Sequence, residues 1–125
     1  LDVKIIIPKK SDSWVAEHAT NSYIELLIEA GVEIYQYTKG FVHAKTMIVD
    51  GVFSTVGTAN LDYRSFNINF EVNALIYDEA FSKQLTELFN EDLKDCDKIY
   101  YQNWKNRSKF IKFKESMARL AAPLL

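Results

Sequence analysis

Phe41-Val-His43-Ala-Lys45-Thr-Met-Ile-Val-Asp50-Gly51-Val-Phe-Ser-Thr-Val-Gly57-Thr58-Ala-Asn60 is the stretch on which the fold turns. Ala44 to Val49 reads as a strand, and Asp50-Gly51 is a two-residue hairpin signal because both residues tolerate the left-handed backbone such a turn demands. Val52 to Val56 reads as the return strand, and Gly57 to Asn60 as the turn that closes it. His43 and Lys45 lie two apart on the first strand, so alternation places both side chains on one face, with Asp50 at the far end.

Upstream, Val3 to Ile7 is a short apolar run ended by Pro8, the pattern of a buried strand. Ser11, Asp12 and Ser13 offer N-caps for a helix to about Ala30, with Val15, Ala19, Tyr23, Leu26, Leu27 and Ala30 on one face. Gly31 ends it, and Val32 to Tyr37 alternates as a second strand. This βαβ order predicts parallel strands joined by a right-handed crossover. Downstream of Asn60, a short irregular or helical stretch runs to Phe66, and Phe70 to Tyr77 alternates as a strand. A helix follows from Asp78 or Glu79 to about Cys96, with Phe81, Leu85, Leu88 and Phe89 inward. A basic amphipathic helix spans about 104–121, carrying Phe110, Phe113, Met117 and Leu120 on one stripe before Pro123. The fold class is α/β, a mixed sheet flanked by helices on both faces, in a single domain over 1–125.

Hydrophobic residues make up 48% of the 125 and charged residues 26%, which excludes a disordered chain. The net charge of −2 argues against a broad basic nucleic-acid surface. From Asn103 onward there are six basic residues and one acid, a local +5 that leaves −7 on residues 1–102. That asymmetry marks the C-terminal segment as a candidate contact for an anionic surface or, on the plainer reading, as a helix packed in the core or on a missing half. The lone Cys96 permits no internal disulfide and fits a reducing compartment. No apolar run reaches the ~18 residues that span a bilayer. The chain opens on Leu1 directly into a strand, which reads as a piece of a longer protein whose membrane anchor lies outside it.

The face built from His43 to Asn60 suits an anionic phosphate ester. A neutral imidazole serves as nucleophile or as general acid–base near neutral pH. The Lys45 ammonium matches the ester's negative charge, and the Thr58 hydroxyl and Asn60 amide add further donors. Gly57 allows a tight turn or a close backbone approach. With Lys and Asn neutralising the phosphate, no metal or other cofactor is needed.

His43-x-Lys45, Asp50 after four intervening residues, and Gly57-Thr-x-Asn60 after six more resemble the HKD motif of the phospholipase D superfamily. Thr58 departs from the family's usual Ser but keeps the hydroxyl. Gly57-Thr-Ala-Asn-Leu-Asp-Tyr-Arg-Ser-Phe66, Asn69-Phe-Glu71-Val-Asn73, Ile7-Pro-Lys-Lys-Ser-Asp-Ser13, Gly31-Val-Glu-Ile-Tyr35 and Ser116-Met-Ala-Arg-Leu120 are similar to the bacterial cardiolipin synthase branch, in its C-terminal half. The resemblance therefore implies a phospholipase D-like lobe.

It also implies roles. His43 is the nucleophile or the general acid. Lys45 and Asn60, with Thr58 and Gly57, bind the phosphoryl oxygens, and Glu71 hydrogen-bonds the imidazole's other nitrogen. Asp50 belongs to the motif, although its place in a turn assigns it to structure. Asp62 and Arg64 read as a local cap or ion pair, and His18, with no Lys two residues on, as an ordinary helix residue. The implied reaction is phosphatidyl transfer through a phosphohistidine, making cardiolipin from two phosphatidylglycerol molecules with release of glycerol at the cytoplasmic side of a bacterial membrane. Such a site needs two motifs and this chain has one, so its partner is a second half of the same protein or a homodimer mate. A homodimeric phosphodiesterase or nuclease, and a lobe inactive in isolation, are the competing readings.

Overall fold

The computed structural model describes residues 1–10 and 14–121. Element order is β1 (Lys4–Pro8), α1 (Trp14–Glu29), β2 (Glu33–Tyr37), β3 (Thr46–Val49), β4 (Phe53–Gly57), α2 (Tyr63–Asn67), β5 (Asn73–Tyr77), α3 (Glu79–Leu93), β6 (Cys96–Lys98), α4 (Tyr101–Lys105) and α5 (Lys109–Ala121). The α/β expectation holds, with the strands divided between two three-stranded sheets. The described residues fall into two compact units, one within residues 1–42 and 95–125 and the other residues 43–94. The N-caps expected at Ser11 to Ser13, the side chains of Val15 and Ala19, and Pro123 lie outside the described residues.

In the first unit β1 and β2 run parallel from Lys4↔Glu33 to Pro8↔Tyr37, as the βαβ reading predicts. The helix between them ends because Gly31 takes φ +88°. Its N–H donates to the Ile28 carbonyl and that of Val32 to Leu27, which satisfies two carbonyls at the helix end. Burial of Ile24, Ile34 and Ile99 forms the core, with Ile7, Leu27, Ile28, Val32 and Trp104 packed around it. Strand β6 was not foreseen. It pairs antiparallel with β2, Tyr35 opposite Lys98, so Cys96 begins a strand and does not end a helix. The expected single C-terminal helix is broken at 106–108 into α4 and α5. Arg107 explains the break. Its guanidinium stacks 3.4 Å over the Trp104 ring, donates through Nε to the Trp104 carbonyl, and forks onto both carboxylate oxygens of the buried Glu115. Phe110, Phe113, Met117 and Leu120 do share a stripe, but it is exposed and contributes nothing to the core.

In the second unit β4 is the centre of an antiparallel sheet, with β3 on one side and β5 on the other. Asp50 (φ +52°) and Gly51 (φ +69°) form the turn, with Val52 N–H donating to the Val49 carbonyl at 3.1 Å. The register pairs Val49 with Phe53, so the loop holds three residues and not two, and the return strand starts one residue later than expected. Helix α3 is capped by Asp78, whose carboxylate accepts from Phe81 N–H at 2.7 Å. It meets β4 through a pair of fully buried hydroxyls, Ser54 and Ser82, 2.7 Å apart. Leu88, expected inward, is exposed. Small residues at the contact let helix and strand approach closely, and the two hydroxyls satisfy each other. Among the described residues no helix is long and apolar enough to cross a membrane.

Candidate active site

The site belongs to the second unit and lies at one end of its sheet. His43 and Lys45 sit just before β3, one step short of the strand expected for them. The ladder nevertheless reaches Lys45, whose carbonyl accepts from Gly57 N–H at 3.1 Å. Lys45 is half-buried, and its ammonium donates to the His43 carbonyl at 2.7 Å. An ammonium carries three protons, so the contact orients the cation without exhausting it. His43 is exposed.

Across the sheet end, the turn after β4 is tied to the residues before β5. Thr58 N–H donates to the Val72 carbonyl, and Val72 N–H returns a bond to Thr58 Oγ1, both at 3.0 Å. Asn73 Oδ1 accepts from Ala59 N–H at 3.3 Å. Gly57 is required by space. A Cβ there would lie 1.7 Å from Asn73 Oδ1, 2.3 Å from the Val72 carbonyl oxygen and 2.6 Å from Asn73 Cα. The close approach anticipated at Gly57 is thus to the neighbouring strand.

Glu71 gathers this end of the sheet. Thr58 Oγ1 donates to Oε2, while Ser65 Oγ at 3.0 Å and Asn69 Nδ2 at 3.3 Å donate to Oε1. These bonds, Thr58's foremost, hold the Glu71 carboxyl below its ordinary 4.5, and the positive charge of Lys45 acts in the same direction. A hydroxyl has one proton, and that of Thr58 goes to the Glu71 carboxylate. Folding that lowers a carboxyl's titration point contributes stability that is full above the ordinary value and disappears as pH falls through the lower one. The difference in melting temperature between the wild type and Glu71→Gln is therefore expected to be constant above pH 4.5 and to narrow below it. A gap that stays the same through acid pH would remove the charge from the account.

Ser65 was not singled out in the sequence. Its hydroxyl accepts from Asn60 N–H at 3.0 Å while donating to Glu71, so it joins the two residues that frame the site. The signal was present in Asp62, which caps α2 by accepting from Ser65 N–H at 2.7 Å. An N-cap acid with a polar residue three positions later is a pattern in which the later side chain reaches back to the preceding backbone. The cap reading of Asp62 is correct.

Asp50 is not brought to the site. It occupies the hairpin tip, five residues of near-extended chain from Lys45, or about 17 Å at the usual rise per residue. Its left-handed backbone gives the residue a structural reason. Asp50→Gly is expected to melt as the wild type does, whereas Asp50→Val should lose about 1–2 kcal/mol because a β-branched side chain resists that backbone. Equal stability of the two variants, measured by thermal melting, would contradict this.

His43, Lys45 and Glu71 thus place an imidazole, an ammonium and a carboxyl on one unit, the carboxyl held below its ordinary range. The family described as "Cardiolipin synthase, PLD-like domain" matches residues 1–93. Over all 125 residues the chain is 49% identical to the cardiolipin synthase of Geobacillus sp. (strain WCH70), covering 25% of that protein. It is 48% identical to the major cardiolipin synthase of Bacillus subtilis (strain 168), covering 26%. The chain thus spans about a quarter of the length of the curated relatives it matches. Among solved structures, a phospholipase D family member, Nuc from Salmonella typhimurium, superposes with a TM-score of 0.67 at 22% identity, over 79% of this chain and 64% of that one. That likeness concerns the fold. By its match over residues 1–93, this chain belongs to the PLD-like domain family of cardiolipin synthases.

Proposed function

We propose that the chain supplies one of two half-sites of a phosphatidyltransferase that makes cardiolipin from two phosphatidylglycerol molecules at a bacterial membrane. The observation that supports this reading is the pair of contacts at one end of the sheet, Lys45 Nζ to the His43 carbonyl and the Asn60 N–H through Ser65 Oγ to Glu71. Lys45 and the Asn60 amide bind the phosphoryl oxygens. Glu71, ionised and held by Thr58 and Ser65, accepts a hydrogen bond from one imidazole N–H of His43 and fixes the tautomer that leaves the other nitrogen free to react. Thr58 and Gly57 hold the frame.

The reaction takes two displacements. A histidine nitrogen attacks phosphorus and forms a P–N bond. The P–O bond to glycerol breaks, and the histidine of the opposing motif gives its proton to the departing oxygen. A hydroxyl of the second phosphatidylglycerol then loses its proton to that same histidine, attacks phosphorus and releases the first. His43 fills one of these two places, and its counterpart comes from another half of the same protein or from a homodimer mate.

The test is product analysis. The enzyme containing this chain, given phosphatidylglycerol labelled in its terminal glycerol, is expected to release one labelled glycerol per cardiolipin formed. Release of glycerol with phosphatidic acid in place of cardiolipin would make it a hydrolase. Inertness toward lipid with cleavage of a generic phosphodiester by a homodimer would establish the competing phosphodiesterase.

A further inference from the structure

Helix α5 turns its apolar stripe outward. Phe110, Phe113, Met117 and Leu120 follow one another at helical spacing and are 64%, 63%, 53% and 76% exposed. The opposite face is the buried one, where Ala118 is 6% and Glu115 3% exposed. Glu115 is the only acid between residues 103 and 125, and its charge is met internally by the Arg107 fork. Lys112 reaches back to Glu25 on α1 at 3.3 Å, which fixes that side of the helix toward the protein. The outward side thus presents apolar groups and, among the described residues, the Lys114 cation, with no acid of the segment beside them. Lys114 sets its ammonium over the Phe110 ring, Nζ 4.5 Å from the ring centre. A long cationic side chain beside an apolar stripe can extend so that the apolar part sinks while the charge stays at the level of headgroups.

We infer that this face of α5 docks on an anionic phospholipid surface, the helix lying in the plane of the membrane with Phe110, Phe113, Met117 and Leu120 in the acyl boundary. At 13 residues the helix is about 20 Å long, too short to cross and suited to lie flat. Charge complementarity selects the occupant. The segment from Asn103 carries +5 against −7 on the remainder, so an anionic surface attracts this segment in preference to the rest of the chain. The inference is independent of the catalytic reading, because it uses no residue of the His43 site.

The experiment places an environment-sensitive fluorophore on Phe113→Cys, in a Cys96→Ser background, within the complete protein, presented with vesicles of phosphatidylglycerol and phosphatidylcholine or of phosphatidylcholine alone. On the anionic vesicles the emission is expected to shift to the blue and to be quenched by nitroxide-bearing acyl chains. Neutral vesicles should give neither effect. Phe110→Ser with Met117→Ser, on solvent-exposed positions that leave the core intact, should weaken the vesicle response about tenfold or more, and Lys114→Glu should weaken it on anionic vesicles. Blue-shifted emission insensitive to nitroxide lipids would show that a protein surface covers the stripe. Unshifted emission on anionic vesicles would show that nothing does. Either result overturns the proposal.

Discussion

Gly57→Ala is expected to destabilise the protein by about 3 kcal/mol, toward the upper end of what overpacking costs, and so to lower Tm by about 10 °C. Two opposing effects decide the sign. Exchanging Gly for Ala ordinarily stabilises by about 0.4–1 kcal/mol because the unfolded chain loses freedom. Here the added Cβ would stand 2.3 Å from the Val72 carbonyl oxygen and 2.6 Å from Asn73 Cα. The Asn73 side chain, 1.7 Å away, has room to rotate, but those two backbone atoms do not. Separating the strands at Gly57↔Asn73 also strips Ala59 N–H of its acceptor and loosens the Thr58–Val72 pair of bonds. The measurement is paired thermal and urea melting. A variant at least as stable as the wild type would refute the close approach. Activity should fall with stability, because the same backbone carries Thr58 and Asn60.

The second large effect concerns His43. His43→Gln in the complete enzyme is expected to reduce kcat by about 10⁴-fold, the scale seen when a member of a covalent catalytic set is removed. Because His43 is exposed, the change in stability should stay within about 0.5 kcal/mol. A substrate analogue with a nitrophenol leaving group separates its two possible roles. Such a group departs without protonation, so a stoichiometric burst of nitrophenolate from the variant would assign His43 as the acid. Equal loss with both substrates would assign it as the nucleophile. Turnover within a few-fold of the wild type on phosphatidylglycerol would exclude both roles.

The sequence made the chemistry legible where the chemistry is local. His43, Lys45, Gly57 and Asn60 sit within eighteen consecutive residues on one hairpin, so their spacing alone fixes their company. Long-range effects were hidden. Strand β6 is the three residues Cys96, Asp97 and Lys98, with no apolar alternation. It exists because the edge of β2 offers backbone partners, a tertiary cause that no local pattern carries. The C-terminal helix kept its period across the break at 106–108, since Asn and Ser are tolerated in helices as well as at their ends. Only the buried Glu115, eight residues on, shows why Arg107 leaves the helix. Periodicity located the α5 stripe but said nothing of what it faces. Likewise α3 turns the small Ser82 inward and leaves Leu88 outside, because the contact with β4 is too close for a large side chain.

The three-residue hairpin at Asp50-Gly51-Val52 has a bearing on how this family tolerates change in length. Surface tips normally accept insertions and deletions, since nothing is packed on them. This tip instead counts residues for the whole ladder. Removing one would slide β3 against β4, and because side chains alternate, a slide of one position turns every residue of the strand to the other face. Lys45 would no longer lie opposite Gly57, and its ammonium would point away from the glutamate it helps to keep ionised. The tip lies at the opposite end of β3 from Lys45, yet its length is a calibration of the site there.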